Sequence, residues 1–343
     1  MYGRGHPIYE LSVVGVPMEE PIGLIVSNIG DAIGVNKMAL ELAIIMIGGL
    51  FLGLSFYLSK NKISTYYAAI GWVLVGIYFY LQSDHYVEIS DPVLILMTAS
   101  ALPGGIALAV WEIKTKETPD ALQWLRGCFT WAIIPYFVIF SVPYLNMALI
   151  QFTAESTEIM LEFAGLGNYH IGEMMVALDD GRDIPVSEWD GNKWVLTESL
   201  AEEGFYVQFF NADGIVIVQF IMACSGLQSM IIFVGAIGAL SSVSLKRRAR
   251  GLLIALPTIH VLNMFRNAGI VWLTETYPEW SLMGIGMFDF THSYAAKAIS
   301  LFAMFLMAIA LFDLLPELHK HIMKILDPIF DAVDKIRGTT KSS

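Results

Sequence analysis

The sequence predicts an all-α polytopic membrane protein of about seven transmembrane helices, with a small extracellular β-containing cap. Of its 343 residues, 56% are hydrophobic and 15% are charged, a balance too apolar for a soluble domain. Several apolar runs are long enough to cross a bilayer. One acidic stretch between them shows the alternating pattern of β-strands. We therefore expect a membrane bundle that carries one folded loop.

Seven apolar runs of membrane-spanning length follow one another along the chain. They are residues 39–58, 63–81, 93–111, 128–152, 224–243, 251–273 and 295–315. The fourth run contains Pro135 and Pro143, which remove backbone hydrogen-bond donors. Transmembrane helices tolerate such prolines when neighbours satisfy the freed carbonyls. We therefore expect a bent helix in the fourth span.

Basic residues are concentrated in every second connection and in the tail. They are Lys60 and Lys62 after span one, Lys114, Lys116 and Arg126 after span three, Lys246, Arg247, Arg248 and Arg250 after span five, and Lys320, Lys324, Lys335 and Arg337 after span seven. The positive-inside rule places these segments in the cytoplasm. The sequence thus predicts a multi-pass protein of the cell membrane, with its N-terminus outside and its C-terminus in the cytoplasm.

This orientation divides the chain into five parts. They are an extracytoplasmic N-terminal segment (1–38), spans one to four (39–152), an acidic extracellular cap (153–222), spans five to seven with the candidate site (223–315) and a cytoplasmic amphipathic tail (316–343). Residues 153–213 hold thirteen Asp and Glu against Arg182 and Lys193. Such acidity excludes nucleic acid as a partner. The pattern predicts a turn and strand at 190–196 and a hairpin of 205–210 with 215–220.

Cys224, one of only two cysteines, lies where a strand pattern ends and a long apolar run begins. We expect the strand to give way to a helix at this residue. A thiol at a helix N-terminus is favoured as thiolate, the nucleophilic form. The alternative is that a small, inert cysteine packs at a helix start. Cys128 lies at the opposite, cytoplasmic end of its span.

Two further residues are expected near the outer ends of their spans, as Cys224 is. Arg266 lies in span six, where an arginine costs about 2.5–3.5 kcal/mol on insertion scales and is normally paired or functional. His292 stands just before span seven, with Asp289 and Lys297 as alternatives for its role. Cysteine, histidine and arginine suit acyl transfer, because the thiolate attacks an amide carbonyl, the histidine protonates the leaving amine and the arginine holds the oxyanion. Supporting roles are expected for Gln228, Asn263, Asn267 and Asp289.

These residues stand in segments that resemble a known family. The segments are Ala-Cys-Ser-Gly-Leu-Gln-Ser (223–229), Val-Leu-Asn-Met-Phe-Arg-Asn (261–267), His292, Met-Ile-Ile-Phe-Val-Gly (230–235) and Arg-Arg-Ala-Arg-Gly (247–251). They resemble the exosortase/archaeosortase family of membrane transpeptidases and, within it, the archaeosortase A branch. The resemblance implies that Cys224 is the nucleophile, Arg266 its catalytic partner and His292 the third, more variable member.

The resemblance also implies a substrate and an acceptor. Secreted surface proteins of archaea, such as S-layer glycoproteins, would be cut at a C-terminal signal made of a short Pro-Gly-Phe-type motif, a transmembrane helix and a basic tail. Cleavage would occur at the extracytoplasmic face, and the protein would be joined to a membrane lipid with an amine headgroup. We expect no cofactor, and the spacing of the two cysteines suggests no metal site.

Two functions from other classes compete with this interpretation. A transporter could use Arg266, His260 and Asn263 as an intramembrane polar path, but it would usually show internal repeats, which the sequence lacks. A retinal-binding protein could use Lys297 as a Schiff-base lysine. That residue lies near the outer end of its span, however, and span three has no acidic residue between Val93 and Val110.

Overall fold

The computed structural model describes residues 21–34, 37–59, 62–88, 92–115 and 119–336. Part of the predicted N-terminal segment, part of the tail and three predicted basic residues (Lys60, Lys116 and Arg337) lie outside these ranges. The described chain is mostly helical and contains a four-stranded antiparallel sheet.

Within the described ranges, eight helices precede the sheet. They are α1 (Pro21–Ile33), α2 (Lys37–Tyr57), α3 (Ile63–Leu81), α4 (Ser83–Glu88), α5 (Pro92–Ala99), α6 (Ala101–Lys114), α7 (Asp120–Ser141) and α8 (Pro143–Phe163). Helices α2, α3, α6 and α7 pack together. At Gly105 a Cβ atom would lie 2.5 Å from the carbonyl oxygen of Trp72, so α6 approaches α3 as closely as backbones allow. Small residues therefore set the spacing of this bundle.

The sheet contains β1 (Tyr169–Leu178), β2 (Asp183–Pro185), β3 (Leu200–Asn211) and β4 (Val216–Ile221), in the order β2-β1-β3-β4. The predicted hairpin forms between β3 and β4, with Phe209 opposite Val218. The side chain of Asn211 closes its turn by accepting hydrogen bonds from the backbone N–H of Asp213 (3.1 Å) and Ile215 (3.0 Å).

The strand predicted within 190–196 is wrong. The Asn192 side chain accepts hydrogen bonds from the backbone N–H groups of Trp194 and Val195, which bends the chain into a turn. The backbone N–H of Leu196 then donates to the carbonyl of Ser141, 2.9 Å away. This segment therefore hydrogen-bonds to the junction between α7 and α8 instead of joining the sheet.

After the sheet come a 3₁₀ turn (Met222–Ser225), α9 (Leu227–Gly238), α10 (Leu245–Thr276), β5 (Ser281–Leu282), β6 (Ile285–Gly286), α11 (Met287–Asp289), a π-helical segment (Phe290–Ala295), α12 (Ala296–Leu314) and α13 (Pro316–Ile336). Helix α9 packs against α7 and α10, and α12 packs against α10. The amphipathic helix predicted after Pro316 corresponds to α13, which folds back onto α7 and α12.

Five helical stretches of the described chain are long and apolar enough to cross a membrane: Lys37–Tyr57, Ile63–Leu81, Leu94–Lys114, Asp120–Ser141 and Met287–Leu314. The fifth predicted span is instead the 12-residue α9, about 18 Å long at about 1.5 Å per residue. The sixth lies within the 32-residue α10. The number seven therefore stays a prediction.

The fourth predicted span, 128–152, is divided between two helices. Val142 is extended (φ −104°, ψ 100°) and ends α7 before Pro143 begins α8. A residue that precedes proline is disfavoured in the α-region, which explains a break where the sequence suggested a bend. Helix α8 also crosses the predicted boundary at residue 153, so the sheet begins only at Tyr169.

The inner face of the sheet shares one hydrophobic core with α8 and α10. Its buried members include Ile150, Ala154, Val207, Phe209, Val218, Phe220, Ala268 and Val271. At the edge of this core, the Tyr169 hydroxyl donates a hydrogen bond to the Glu275 carboxylate. The sheet is therefore fixed directly to the helix that carries Arg266.

A fully buried ion pair connects the four packed helices α2, α3, α6 and α7. Arg126 on α7 contacts the Glu112 carboxylate on α6, with Nε 2.8 Å from Oε1. Trp72 donates to the same oxygen at 3.2 Å, and Arg126 donates to the carbonyl of Ser55 at 3.3 Å. The assignment of Arg126 to a basic cytoplasmic connection is wrong, because its side chain lies inside the bundle.

We expect Arg126→Ala to destabilise the protein strongly, because it leaves the Glu112 charge buried and unpaired. Breaking one side of a buried pair typically costs about 3–5 kcal/mol. The double variant Arg126→Met with Glu112→Gln should recover part of the loss. The temperature at which the detergent-solubilised protein loses its monodisperse elution peak measures both effects. Arg182→Ala, which removes an exposed pair with Asp180, should leave that temperature unchanged. A double variant as unstable as Arg126→Ala would contradict this role of the pair.

Candidate active site

The junction between β4 and α9 is a turn rather than the start of a helix. Met222–Ser225 form a 3₁₀ turn, Gly226 is left-handed (φ 72°), and α9 begins at Leu227. The Ser225 hydroxyl donates to the carbonyl of Met222 at 2.7 Å and accepts from the N–H of Leu227 at 3.1 Å. The expected helix N-terminus at Cys224 is therefore wrong, because Ser225 and Gly226 lie between the thiol and the helix.

Gly226 is required here for two independent reasons. Its positive φ is one that residues with a side chain rarely adopt. A Cβ atom at this position would also lie 2.9 Å from the side-chain Cγ of Asn263. The absence of a side chain thus lets α10 approach the turn that contains Cys224.

Two asparagines on α10 hold the backbone carbonyl of Cys224. Asn263 Nδ2 donates to it at 2.8 Å and Asn267 Nδ2 at 3.0 Å. Both asparagines are buried, and their spacing of four residues places them on one helical face. Arg266 Nη1 donates to Asn267 Oδ1 at 3.1 Å. The Asn267 amide therefore connects the Arg266 guanidinium to the Cys224 backbone.

Cys224 precedes the first residue of α9, and its side chain is half-buried. Burial raises the pKa of the Cys224 thiol, whereas a backbone hydrogen bond at Ile221 and the Arg266 charge lower this pKa only in part. The sequence predicted that the helix dipole and Arg266 would outweigh burial, whereas desolvation is the largest contribution. Desolvation thus opposes the predicted thiolate, and the reaction calls for a group that accepts the thiol proton.

His292 lies near Arg266 rather than against Cys224. It belongs to the π-helical segment Phe290–Ala295 and stacks on Phe288, with ring centroids 5.3 Å apart. Arg266, Lys297 and Asp289 all act on the imidazole electrostatically. Within the described part of the chain, no hydrogen bond joins His292 to Cys224. Single π-helical turns are frequent at functional sites.

Two other polar residues singled out by the sequence face neighbouring helices. Gln228 lies beside the Tyr136 side chain of α7. His260 stacks on Phe152 of α8, with centroids 4.7 Å apart, and its Nε2 lies 3.3 Å from the Ser156 hydroxyl. Of the residues that the transporter alternative would use, Asn263 thus bonds to Cys224 and His260 contacts α8. Among the described residues, no group of three or more His, Cys, Asp or Glu could hold a metal ion.

A cavity of about 270 Å³ opens beside the turn, between α10 and α12. Most of its lining is apolar, and its polar members include Ser229, Asn263, Arg266, Thr291 and Ser300. Gly226 and Ser229, two and five residues beyond Cys224, also line it. The sequence analysis missed this cavity because most of the residues that form it carry no reactive groups.

Residues 36–311 match the family model of the transmembrane exosortases (Exosortase_EpsH). The chain belongs to the transmembrane exosortase family. It is thus a multi-pass membrane protein from a family of cysteine-dependent transpeptidases that act on C-terminal sorting signals. A search of curated proteins and a search of solved structures gave no match. The match to the exosortases covers every described element from α2 to the last turn of α12.

We expect Gly226→Ala to lower processing of a sorting signal by this exosortase at least about tenfold, because the added methyl would displace Asn263 from the Cys224 carbonyl. Strain at such a backbone position costs on the order of 1–3 kcal/mol. Gly286→Ala is the matched control, since no atom lies within 4 Å of its added Cβ and its φ of −68° suits any residue. Processing is followed by gel mobility of the substrate in membranes that contain equal amounts of each variant. Equal rates for both variants would contradict the requirement for glycine at 226.

Proposed function

We propose that this exosortase is an archaeosortase A-like cysteine transpeptidase whose nucleophile is Cys224. Its substrates would be secreted surface proteins, including S-layer proteins of archaea, that end in a Pro-Gly-Phe-type motif, a transmembrane helix and a basic tail. The main support is the hydrogen-bonded group of Cys224, Asn263, Asn267 and Arg266. It fixes a cysteine beside an arginine at the mouth of an apolar cavity.

The reaction has two acyl transfers. The Cys224 sulfur attacks the carbonyl carbon of the scissile peptide bond, a carbon–sulfur bond forms and the carbon–nitrogen bond breaks. The thiol proton passes to His292 and from there to the leaving nitrogen, which departs with the signal helix. The amine of a lipid headgroup then attacks the thioester, and the proton that this amine loses restores the thiol. The surface protein ends as an amide of the lipid.

Arg266 is suited to stabilise the negative charge that develops on the carbonyl oxygen. A guanidinium has five N–H donors, and Asn267 accepts from one of them. In the described part of the chain, no other acceptor is hydrogen-bonded to this guanidinium. The remaining donors are therefore available to an oxyanion beside Cys224, where each fixed donor has a large effect on rate.

His292 is proposed as the general acid and base, although it does not contact Cys224 in the free protein. The scheme requires the π-helical segment to bring the imidazole within hydrogen-bond distance once the substrate is bound. Catalytic hydrogen bonds are often long or absent in free enzymes and tighten in the substrate complex. The His292 ring stacks on Phe288 and is close enough to Arg266 for the guanidinium to act on it electrostatically.

The cavity between α10 and α12 suits the apolar side chains at the outer end of the signal helix. A transmembrane helix presents apolar side chains, and the cavity walls are mostly apolar. We propose that the site opens at the extracytoplasmic face of the cell membrane, as the distribution of basic segments predicts. A secreted substrate would then present the outer end of its signal helix to Cys224.

We expect Cys224→Ala to abolish maturation of a co-expressed substrate that carries the signal, while Cys128→Ala leaves maturation unchanged. Cys128 lies on α7 and packs in a different hydrophobic core from Cys224, together with Trp124 and Phe233. Maturation is measured by loss of the C-terminal tail in a pulse-chase experiment. Normal processing by Cys224→Ala, present at the wild-type level, would end the assignment of the nucleophile.

We expect Arg266→Lys to be nearly as damaging as Arg266→Ala. An ammonium group cannot reproduce the planar fork that holds Asn267 and offers further donors. Loss of one oxyanion donor typically lowers the rate by about 10²–10³. The initial rate of tail removal in isolated membranes measures this effect. If lysine restores the rate to within a few-fold of wild type, Arg266 contributes only its charge.

A further inference from the structure

The outer edge of β4 is open. In the sheet order β2-β1-β3-β4, β3 is the strand that pairs with Val216–Ile221. Over the described residues, no backbone–backbone hydrogen bond outside that pairing involves these six residues. Half of their N–H and C=O groups point away from β3, as in any edge strand. Gln219, near the end of β4, is exposed.

The two edges of the sheet differ in their chemistry. At the opposite edge, β2 is only three residues long and contains Asp183 and Pro185. A short length, a charge and a proline are the features with which proteins prevent pairing at a sheet edge. Strand β4 is Val-Ile-Val-Gln-Phe-Ile, without a charge or a proline. It therefore keeps the composition of a strand that accepts a partner.

The position of this edge connects it to the site. Strand β4 ends at Ile221, and Cys224 follows three residues later. The cavity begins immediately beyond the nucleophile, at Gly226 and Ser229. The open edge of β4, the Cys224 thiol and the apolar cavity thus follow one another in this order along the chain.

We infer that the substrate segment on the acyl side of the scissile bond binds in extended form along β4, as a fifth strand of the sheet. Backbone hydrogen bonds supply the affinity in this mode of recognition, and alternate side chains supply the specificity. The segment would be an uncharged, extended peptide that leads from the secreted domain to the sorting motif. The inference rests on the proposed function and adds the surface that positions the substrate before cleavage.

The geometry also gives the substrate a direction. The acyl part lies on β4 outside the cavity, and the first apolar residues of the signal helix lie beyond Cys224, in the cavity. A peptide stretched between these two sites passes the thiol at the point where strand and helix meet. The inner face of β4, with Val218 and Phe220, is occupied by the core shared with α8 and α10. The substrate therefore adds to the edge and not to that face.

Disulfide trapping tests this inference in the full-length chain. Cys224→Ala with Cys128→Ala removes both cysteines and stops turnover. Gln219→Cys is then introduced on β4, and a single cysteine is moved through successive positions before the sorting motif of a co-expressed Pro-Gly-Phe-type substrate. The control is Gln208→Cys, because Gln208 lies directly opposite Gln219 on β3. Neighbouring strands are about 4.8 Å apart, so Gln208 would be two strands from the substrate and beyond the roughly 7 Å limit for a disulfide.

We expect Gln219→Cys to form a disulfide mainly with the substrate position directly opposite it, because the positions on either side point to the other face of the strand and those two residues away exceed the disulfide limit. At that position its yield should exceed that of Gln208→Cys at least about fivefold, with both variants at equal levels in the membrane. Equal yields for the two variants, equal yields at successive substrate positions, or no disulfide at any position would overturn the inference. If the wild-type chain processes the substrate but one of these results is obtained, the fifth strand is wrong and the proposed function stands. If the wild-type chain does not process it, the proposed function fails.

Discussion

The arrangement of the candidate site depends on the two hydrogen bonds that Asn263 and Asn267 donate to the Cys224 carbonyl. They join a turn at the end of a sheet to the middle of a 32-residue helix. Their geometry requires a residue without a side chain at Gly226 and gives Arg266 a partner beside the nucleophile. Because a buried amide without a partner costs free energy, the two asparagines strongly disfavour any other position of the turn.

Part of this site could be predicted from the sequence and part could not. Topology alone suggested that Cys224 and Arg266 lie at the same end of their spans, and the structure brings them together through Asn267. The protonation state of the thiol could not be inferred, since it depends on desolvation by elements distant in sequence. The position of His292 relative to Arg266 depends on a π-helical segment. A π-helix has about one more residue per turn than an α-helix, and the spacing of apolar residues does not reveal this difference.

The same distinction applies to the fold. Alternating side chains in β3 and β4, with a turn at Asn211, indicated the hairpin correctly because this signal is local. Hydropathy could not show that the run 224–243 contains only a 12-residue helix, since apolar turns and apolar helices have the same composition. The positive-inside rule also treated Arg126 as an exposed charge. Its partner Glu112 lies on another helix, so the sequence does not show that the two are paired. Composition shows which segments avoid water, whereas helix lengths and the pairing of buried charges depend on contacts between helices.

The core that the sheet shares with α8 and α10 has a consequence for protein engineering. Phe209 and Phe220 of the sheet pack in one cluster with Ile150 of α8 and Val271 of α10. The sheet is therefore not a module that can be exchanged between homologues at the ends of its strands. A functional chimera would have to carry residues 143–221 together with the C-terminal half of α10. Substitutions in this core among natural enzymes of this type should accordingly be coordinated between two segments of the chain.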